Sequence, residues 1–163
     1  VLGLKYPGGP NVERYALNGH DTYKLPIPMN NNELNMSFSG LKSAVINLIH
    51  NENQRGNEIR KEDLACSFQN IAINELIRKT ELAIKNTGIR RLIVAGGVSA
   101  NKYLRSELDK LCTKLDVDLS IPPMKYCTDN ATMIACAAYP LYLRGEFTTY
   151  NLNGKSQEYF FQN

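Results

Sequence analysis

The run Arg90–Leu104, RRLIVAGGVSANKYL, constrains the fold of this chain more than any other. Four apolar residues, Leu92-Ile93-Val94-Ala95, run into a Gly96-Gly97 pair. A small polar segment, Ser99-Ala100-Asn101, then leads into an amphipathic stretch. That order predicts a strand, a tight glycine turn and a helix start, the place where a parallel α/β sheet tends to hold a ligand. A second strand follows at 117–121, VDLSI, and Pro122-Pro123 stops it. Strand 91–95, helix 99–114 and strand 117–121 thus make a βαβ unit.

The other elements are read from periodicity. Tyr6-Pro7-Gly8-Gly9-Pro10 is a rigid turn, and Asn11 to Asn18 reads as a short helix ended by Gly19. Residues 20–32 are extended and turn-rich. Leu34, Met36 and Phe38 alternate with Asn35 and Ser37, which is strand periodicity, and Leu41, Ala44, Val45 and Leu48 mark a helix to about His50. After a polar loop at 51–57 comes a long helix, about Lys61 to Asn86, closed by Gly88. Its two apolar stripes, Leu64/Phe68/Ile71 and Ile73/Leu76/Ile77/Ile84, place it between layers rather than on a surface. The last strong helix, Asp129 to Leu143, is rich in alanine and should kink at Pro140. The expected class is α/β, helix-rich, with a small mixed sheet and a βαβ unit. Residues 1–147 form the folded part, and 148–163 are a tail that docks, is disordered, or is a cloning remnant.

Composition excludes several classes. With 43% hydrophobic and 21% charged residues the chain has an ordinary globular balance. Its net charge of +3 permits an RNA partner without arguing for one. No apolar run approaches the roughly 18 residues that span a bilayer, and no signal peptide is visible, so a cytoplasmic location is expected. Cys66, Cys112, Cys127 and Cys136 are widely spaced with no CxxC pair, which reads as buried free thiols rather than zinc ligands or disulfides. The chain begins without Met, and Val1-Leu2-Gly3-Leu4 resembles the end of an element, which suggests a C-terminal portion of a longer protein.

Four motifs could carry chemistry. At Gly96-Gly97-Val98-Ser99-Ala100-Asn101 the glycines allow close backbone approach, and Asn101 could bond a ribose or phosphate; a plain turn with Ser99 or Asn101 as N-cap is the structural alternative. Asp129, in Tyr126-Cys127-Thr128-Asp129-Asn130-Ala131, is a helix cap or a metal ligand, and as a ligand it needs at least two others. Ser37-Phe38-Ser39-Gly40-Leu41-Lys42 reads as a hydroxyl-capped strand-to-helix turn. In Tyr6-Pro7-Gly8-Gly9-Pro10 with Glu13 one helical turn on, Gly9 offers close approach and Glu13 an acceptor for ribose hydroxyls, or simply an exposed first-turn glutamate. His20 and His50 each lack a partner at i+4 and read as surface or turn histidines.

Taken in order, YPGGP, SFSGLK, VAGGVSANKYLR and PPMKYCTDNATMIA closely resemble the C-terminal half of the TsaD family, over about residues 1 to 147. These are the tRNA adenosine threonylcarbamoyltransferases, once labelled glycoproteases. No HExxH is present to support that older label. The resemblance implies a lobe of the actin-like ATPase superfamily, with sugar kinases and Hsp70. It implies transfer of threonylcarbamoyl from threonylcarbamoyl-AMP to the exocyclic amine of the tRNA adenosine beside the anticodon. By position, Asn101 and Gly9 match substrate-binding residues, and Asp129 matches a carboxylate ligand of a metal, iron or zinc. Glu13 falls where most members carry Asp. No catalytic side chain is assigned. The family's HxxxH metal motif and its N-terminal phosphate segment are not in these residues, so one metal ligand of at least three is present and the chain alone is expected to be inactive. The implied partners are tRNA, the missing N-terminal lobe, and the pathway proteins TsaB and TsaE-like. The alternatives are a non-catalytic nucleotide-binding or interaction domain, and a sugar-kinase-like phosphotransferase of the same superfamily.

Overall fold

The computed structural model describes residues 2–153. The aromatic run Glu158-Tyr159-Phe160-Phe161-Gln162 lies outside the described residues. Two compact units divide the chain, Val1–Cys127 and Thr128–Asn163.

The first unit is built along one helix. Its elements are α1 (Gly8–Ala16), α2 (Ser39–Gln54), α3 (Lys61–Thr87), β1 (Arg91–Ile93), α4 (Lys102–Leu115) and β2 (Asp118–Ser120), with short 3-10 turns at Gly97–Ala100 and Met124–Tyr126. Helix α3 starts with Glu62 and Asp63 in its first turn, carries Lys85 in its last, and ends at Gly88 with φ 69°. These are charges that favour a helix dipole and a left-handed C-cap that suits glycine. The two expected apolar stripes face different cores. Leu64 packs with Leu25, Leu41 and Val45, joined by Phe68 and Ile71. Ile73 packs with Leu104 and Leu108 of α4, joined by Leu76, Ile77, and the strand residues Leu92 and Leu119.

Between the stripes α3 presents a polar row that the periodicity did not reveal. Asp63 accepts from the backbone N–H of His20 at 2.8 Å. Ser67, fully buried, accepts from Tyr23 N–H at 3.0 Å. Asn70 donates to Asp21 at 2.9 Å, and Arg60 to the Asn18 carbonyl at 3.0 Å. One turn further, Glu75 is held by both Arg78 Nε and Nη2 at 2.9 Å. Arg78 also donates to the carbonyls of Asn31 (2.8 Å) and Met29 (3.1 Å). Lys79, 1% exposed, lies 3.8 Å from Glu75 and donates to Asn31 Oδ1 at 2.7 Å and to the Glu33 carbonyl. Every buried charge here is paired and hydrogen-bonded, the condition under which burial is tolerated.

This row accounts for a correction. Residues 34–38, expected as a strand, form none. The carbonyls at 29, 31 and 33, just before it, are taken by Arg78 and Lys79, and Leu34, Met36 and Phe38 are exposed. The sheet is therefore not mixed. It is a parallel pair, β1 beside β2, in the register Arg91↔Asp118, Leu92↔Leu119, Ile93↔Ser120. The expected βαβ order stands, with strands of three residues each.

Two helix boundaries also differ. Helix α1 begins at Gly8 rather than Asn11, because Pro10 sits in the first turn, where its missing N–H costs nothing. Helix α2 continues through the expected loop to Gln54, with Glu52 pairing Arg55 at 3.0 Å and Gly56 at φ 75° just beyond. In the second unit α5 (Ala131–Leu143) runs through Pro140, and none of its residues is buried. No helix among the described residues is long and apolar enough to cross a membrane.

Gly19 joins α1 to α3 by close approach: a Cβ there would lie 2.0 Å from the Glu62 carbonyl oxygen. Gly19→Ala is expected to lower unfolding free energy by about 1–3 kcal/mol, the range for overpacking. Lys79→Met, which strips buried Glu75 of one cation and takes the donor from the Glu33 carbonyl, is expected to lower it by about 3–5 kcal/mol. Urea denaturation of both variants measures this. A Lys79→Met chain as stable as the parent would mean that the buried charges contribute nothing.

Candidate functional site

The carboxyl ends of β1 and β2 lie side by side, and Val94 N–H donates to the Ser120 carbonyl at 3.0 Å to extend the pairing. Beyond β1 the chain turns at Gly96, whose φ of 90° suits glycine. It then makes the 3-10 turn Gly97–Ala100. Ser99 is buried and its hydroxyl donates to the Gly96 carbonyl at 2.6 Å, closing the turn from inside. A Cβ added at Gly96, Gly97 or Gly9 would meet nothing within 4 Å. Packing within the chain does not demand glycine at Gly97 or Gly9, and the space before them is open.

Asn101 is the N-cap of α4. Its Oδ1 accepts from Leu104 N–H at 2.9 Å, while its Nδ2 donates to Gln69 Oε1 of α3 at 2.9 Å. Of the two expected caps, Asn101 fills the role and Ser99 does not. Glu13 reaches the same helix end: its Oε1 accepts from the backbone N–H of Lys102 at 2.7 Å. Gly9 lies four residues before Glu13 in α1, on the same face. Two of the four expected site residues, Glu13 and Asn101, thus meet at the N-terminus of α4, beside an open glycine turn, with Gly9 one helical turn before Glu13 on α1. The positive end of a helix dipole favours anions, and here the Glu13 carboxylate takes that place.

Asp129 belongs to the second unit and is exposed. It does not cap α5. Asn130 does, its Oδ1 accepting from Met133 N–H at 3.0 Å and its Nδ2 donating to the Thr128 carbonyl at 2.8 Å. The amide outcompetes its neighbour because it can bond on both sides of the turn. Among the described residues no three His, Cys, Asp or Glu side chains come together as a metal site. One carboxylate does not hold a divalent transition ion, so these residues alone do not fit the metal that the sequence motif implies.

The remaining expectations divide. The hydroxyls of Ser37 and Ser39 bond each other at 3.0 Å instead of capping α2, whose N-cap position is Phe38. His20 is exposed, and His50 faces Gln54 at 3.1 Å. All four cysteines are free, but Cys136 is exposed, against the expectation of burial. Burial pushes the Cys66 and Cys112 thiols up from their usual range, keeping them protonated and inert.

Sequence reasoning missed Gln69 and Arg105. Gln69 carries no local signal, since its partner lies 32 residues away. Arg105, half-buried on α4, donates through Nε to the Ser99 carbonyl at 2.6 Å. Its Nη2 reaches the Pro122 carbonyl at 2.6 Å and Cys127 Sγ at 3.1 Å. Its position one turn into the helix after a glycine loop is the signal that could have flagged it.

The sequence model of the TsaD family, described as tRNA N6-adenosine threonylcarbamoyltransferase, matches residues 1–136. The chain is 48% identical over 155 residues to a protein of that name from Staphylococcus saprophyticus, covering 94% of this chain and 45% of that protein. A Staphylococcus aureus protein of the same name, from strain Newman, is 48% identical over 157 residues, covering 96% of this chain and 46% of its own length. The chain spans about half the length of the curated relatives it matches. With residues 1–136 matched out of 163, it belongs to the TsaD family.

Proposed function

We propose that this chain is the C-terminal lobe of a tRNA N6-adenosine threonylcarbamoyltransferase with the actin-like ATPase fold. Gly9, Glu13 and Asn101 form one wall of its threonylcarbamoyl-AMP site. The observation that carries this reading is the convergence of residues from α1, α3 and α4 on one helix N-terminus beside an open glycine turn. That is the crevice outside the carboxyl ends of parallel strands, the usual ligand position in α/β sheets. In this reading the exocyclic amine of the tRNA adenosine attacks the carbamoyl carbonyl, the carbonyl-to-phosphate oxygen bond breaks, and AMP leaves. The chain's own part is positioning. The positive end of the α4 dipole favours the adenylate phosphate, Gly9 and Gly97 leave it room, and Glu13 accepts from ribose hydroxyls. Orientation of this kind supplies much of the acceleration when the leaving group is good.

Asp129 is the family's carboxylate metal ligand in this proposal, for iron or zinc, and the other ligands come from outside these residues. The tRNA, the N-terminal lobe and the TsaB and TsaE-like proteins are the proposed partners, in the cytoplasm. A second reading, a non-catalytic interaction domain whose glycine turn is purely structural, is favoured by one observation: both ends of the Asn101 amide are already satisfied within the chain.

Asn101→Ser separates binding from folding. Serine keeps the cap and loses only the amide bond to Gln69, so it should cost about 1 kcal/mol, whereas Asn101→Ala loses both and should cost about 2 kcal/mol. Calorimetric titration of the parent with AMP should give micromolar binding, weakened about tenfold in Asn101→Ser by loss of one amide hydrogen bond. Equal affinities would remove Asn101 from the site. The 163-residue chain should show no threonylcarbamoyl transfer to tRNA by itself, and sustained turnover would overturn the half-site reading.

A further inference from the structure

In the turn Gly96–Asn101 the leading residues Gly96, Gly97 and Val98 are exposed, Val98 at 64%, and the strand pair behind it is three residues long. Its internal bonds, from Ser99 N–H and Ser99 Oγ to the Gly96 carbonyl, fix its curvature but not its place. The loop after β2 has the same difficulty. Pro122 and Pro123 have no N–H, so the segment cannot extend the ladder through its amides.

One side chain ties both. We propose that Arg105 is the positioning residue of the nucleotide turn, its guanidinium locking the loop after β1 to the loop after β2 so that the two behave as one wall. Nε holds the Ser99 carbonyl, and Nη2 holds the Pro122 carbonyl and Cys127 Sγ. The acceptors come from two loops whose residues lie 6, 17 and 22 positions from Arg105. The planar fork suits this: donors in fixed directions reach separate acceptors, which a lysine ammonium on a flexible stem does not reproduce. Among the described residues no carboxylate pairs with Arg105, and its acceptors are carbonyl oxygens and a thiol sulfur. Its charge is thus solvated by dipoles rather than cancelled. It stands one turn into α4, and adds to the positive end of that helix beneath the turn. This role rests on the reading of the turn as an adenylate wall.

The test uses the full chain with Arg105→Ala, Arg105→Lys and Leu111→Ala, the last a buried residue near the far end of α4 that serves as a stability control. Hydrogen exchange is followed in peptides covering 94–104 and 120–128, and AMP affinity is measured by calorimetry well below the melting point. Arg105→Ala should speed exchange in both peptides together and weaken AMP by about tenfold or more, one charge-assisted hydrogen bond's worth of affinity. Arg105→Lys should fall between alanine and the parent. Leu111→Ala should melt earlier yet bind AMP as the parent does. Faster exchange in only one peptide would overturn the coupling. Faster exchange in both with unchanged AMP affinity would overturn the positioning role, and so would an equal loss of affinity in Leu111→Ala. A parent chain that does not bind AMP would overturn the nucleotide reading and the positioning role with it, even where exchange shows the loops coupled.

Discussion

A helix of 27 residues is about 40 Å long, and a chain of this size has no single core that wide. The whole first unit follows from how α3 is covered. Its N-terminal half is closed by α2 and the segment around Leu25, its C-terminal half by α4 and the strand pair. Two small cores on one rod give rigidity along the rod. That suits a helix which must hold residues from either end in register, and Gln69 sits near the changeover between the cores.

The polar row on α3 does work that apolar stripes cannot do. Segments 18–23 and 29–33 have no regular structure, so their backbone groups need partners from side chains. Asp63, Ser67, Arg78 and Lys79 supply them at helical spacing. The stripes were legible because apolar residues at three and four positions apart can only mean a helix face. Glu75 and Lys79 were not, since an i,i+4 charge pair on a helix usually marks the solvent side. Burial is decided by what crosses over it, here the Asn31–Glu33 loop, and nothing in α3 itself announces that loop. The same crossing explains Leu34, Met36 and Phe38. Alternation alone does not make a strand once the neighbouring carbonyls have been claimed by other donors.

The candidate site divides in the same way. The glycine turn, the cap at Asn101 and the parallel pair were legible, being set by residues within a few positions of one another. The long-range contacts around the turn were not. Glu13 meets Lys102 across 89 residues, and Asn101 meets Gln69 across 32. Asn130 took the capping role expected of Asp129 because both are good caps and only the three-dimensional turn chooses between neighbours.

Glu13 carries the argument furthest. The chain has a glutamate here where the resemblance implies that most of the family has aspartate, a longer arm by one methylene. In the folded chain that arm spans the gap between α1 and α4 and ends on Lys102 N–H at 2.7 Å. An aspartate at the same Cα would stop one methylene short, by about 1.5 Å, and leave the contact unmade. A carboxylate at a helix N-terminus contributes roughly 0.3–1 kcal/mol, little enough for an incoming phosphate to displace it. In the proposed site the two anions compete for the same N–H groups. Phosphate binding at α4 would then release the Glu13 carboxylate toward the ribose hydroxyls one helical turn from Gly9. The longer side chain docks α1 against α4, and in the proposed site the same arm would be long enough to turn to a ribose hydroxyl.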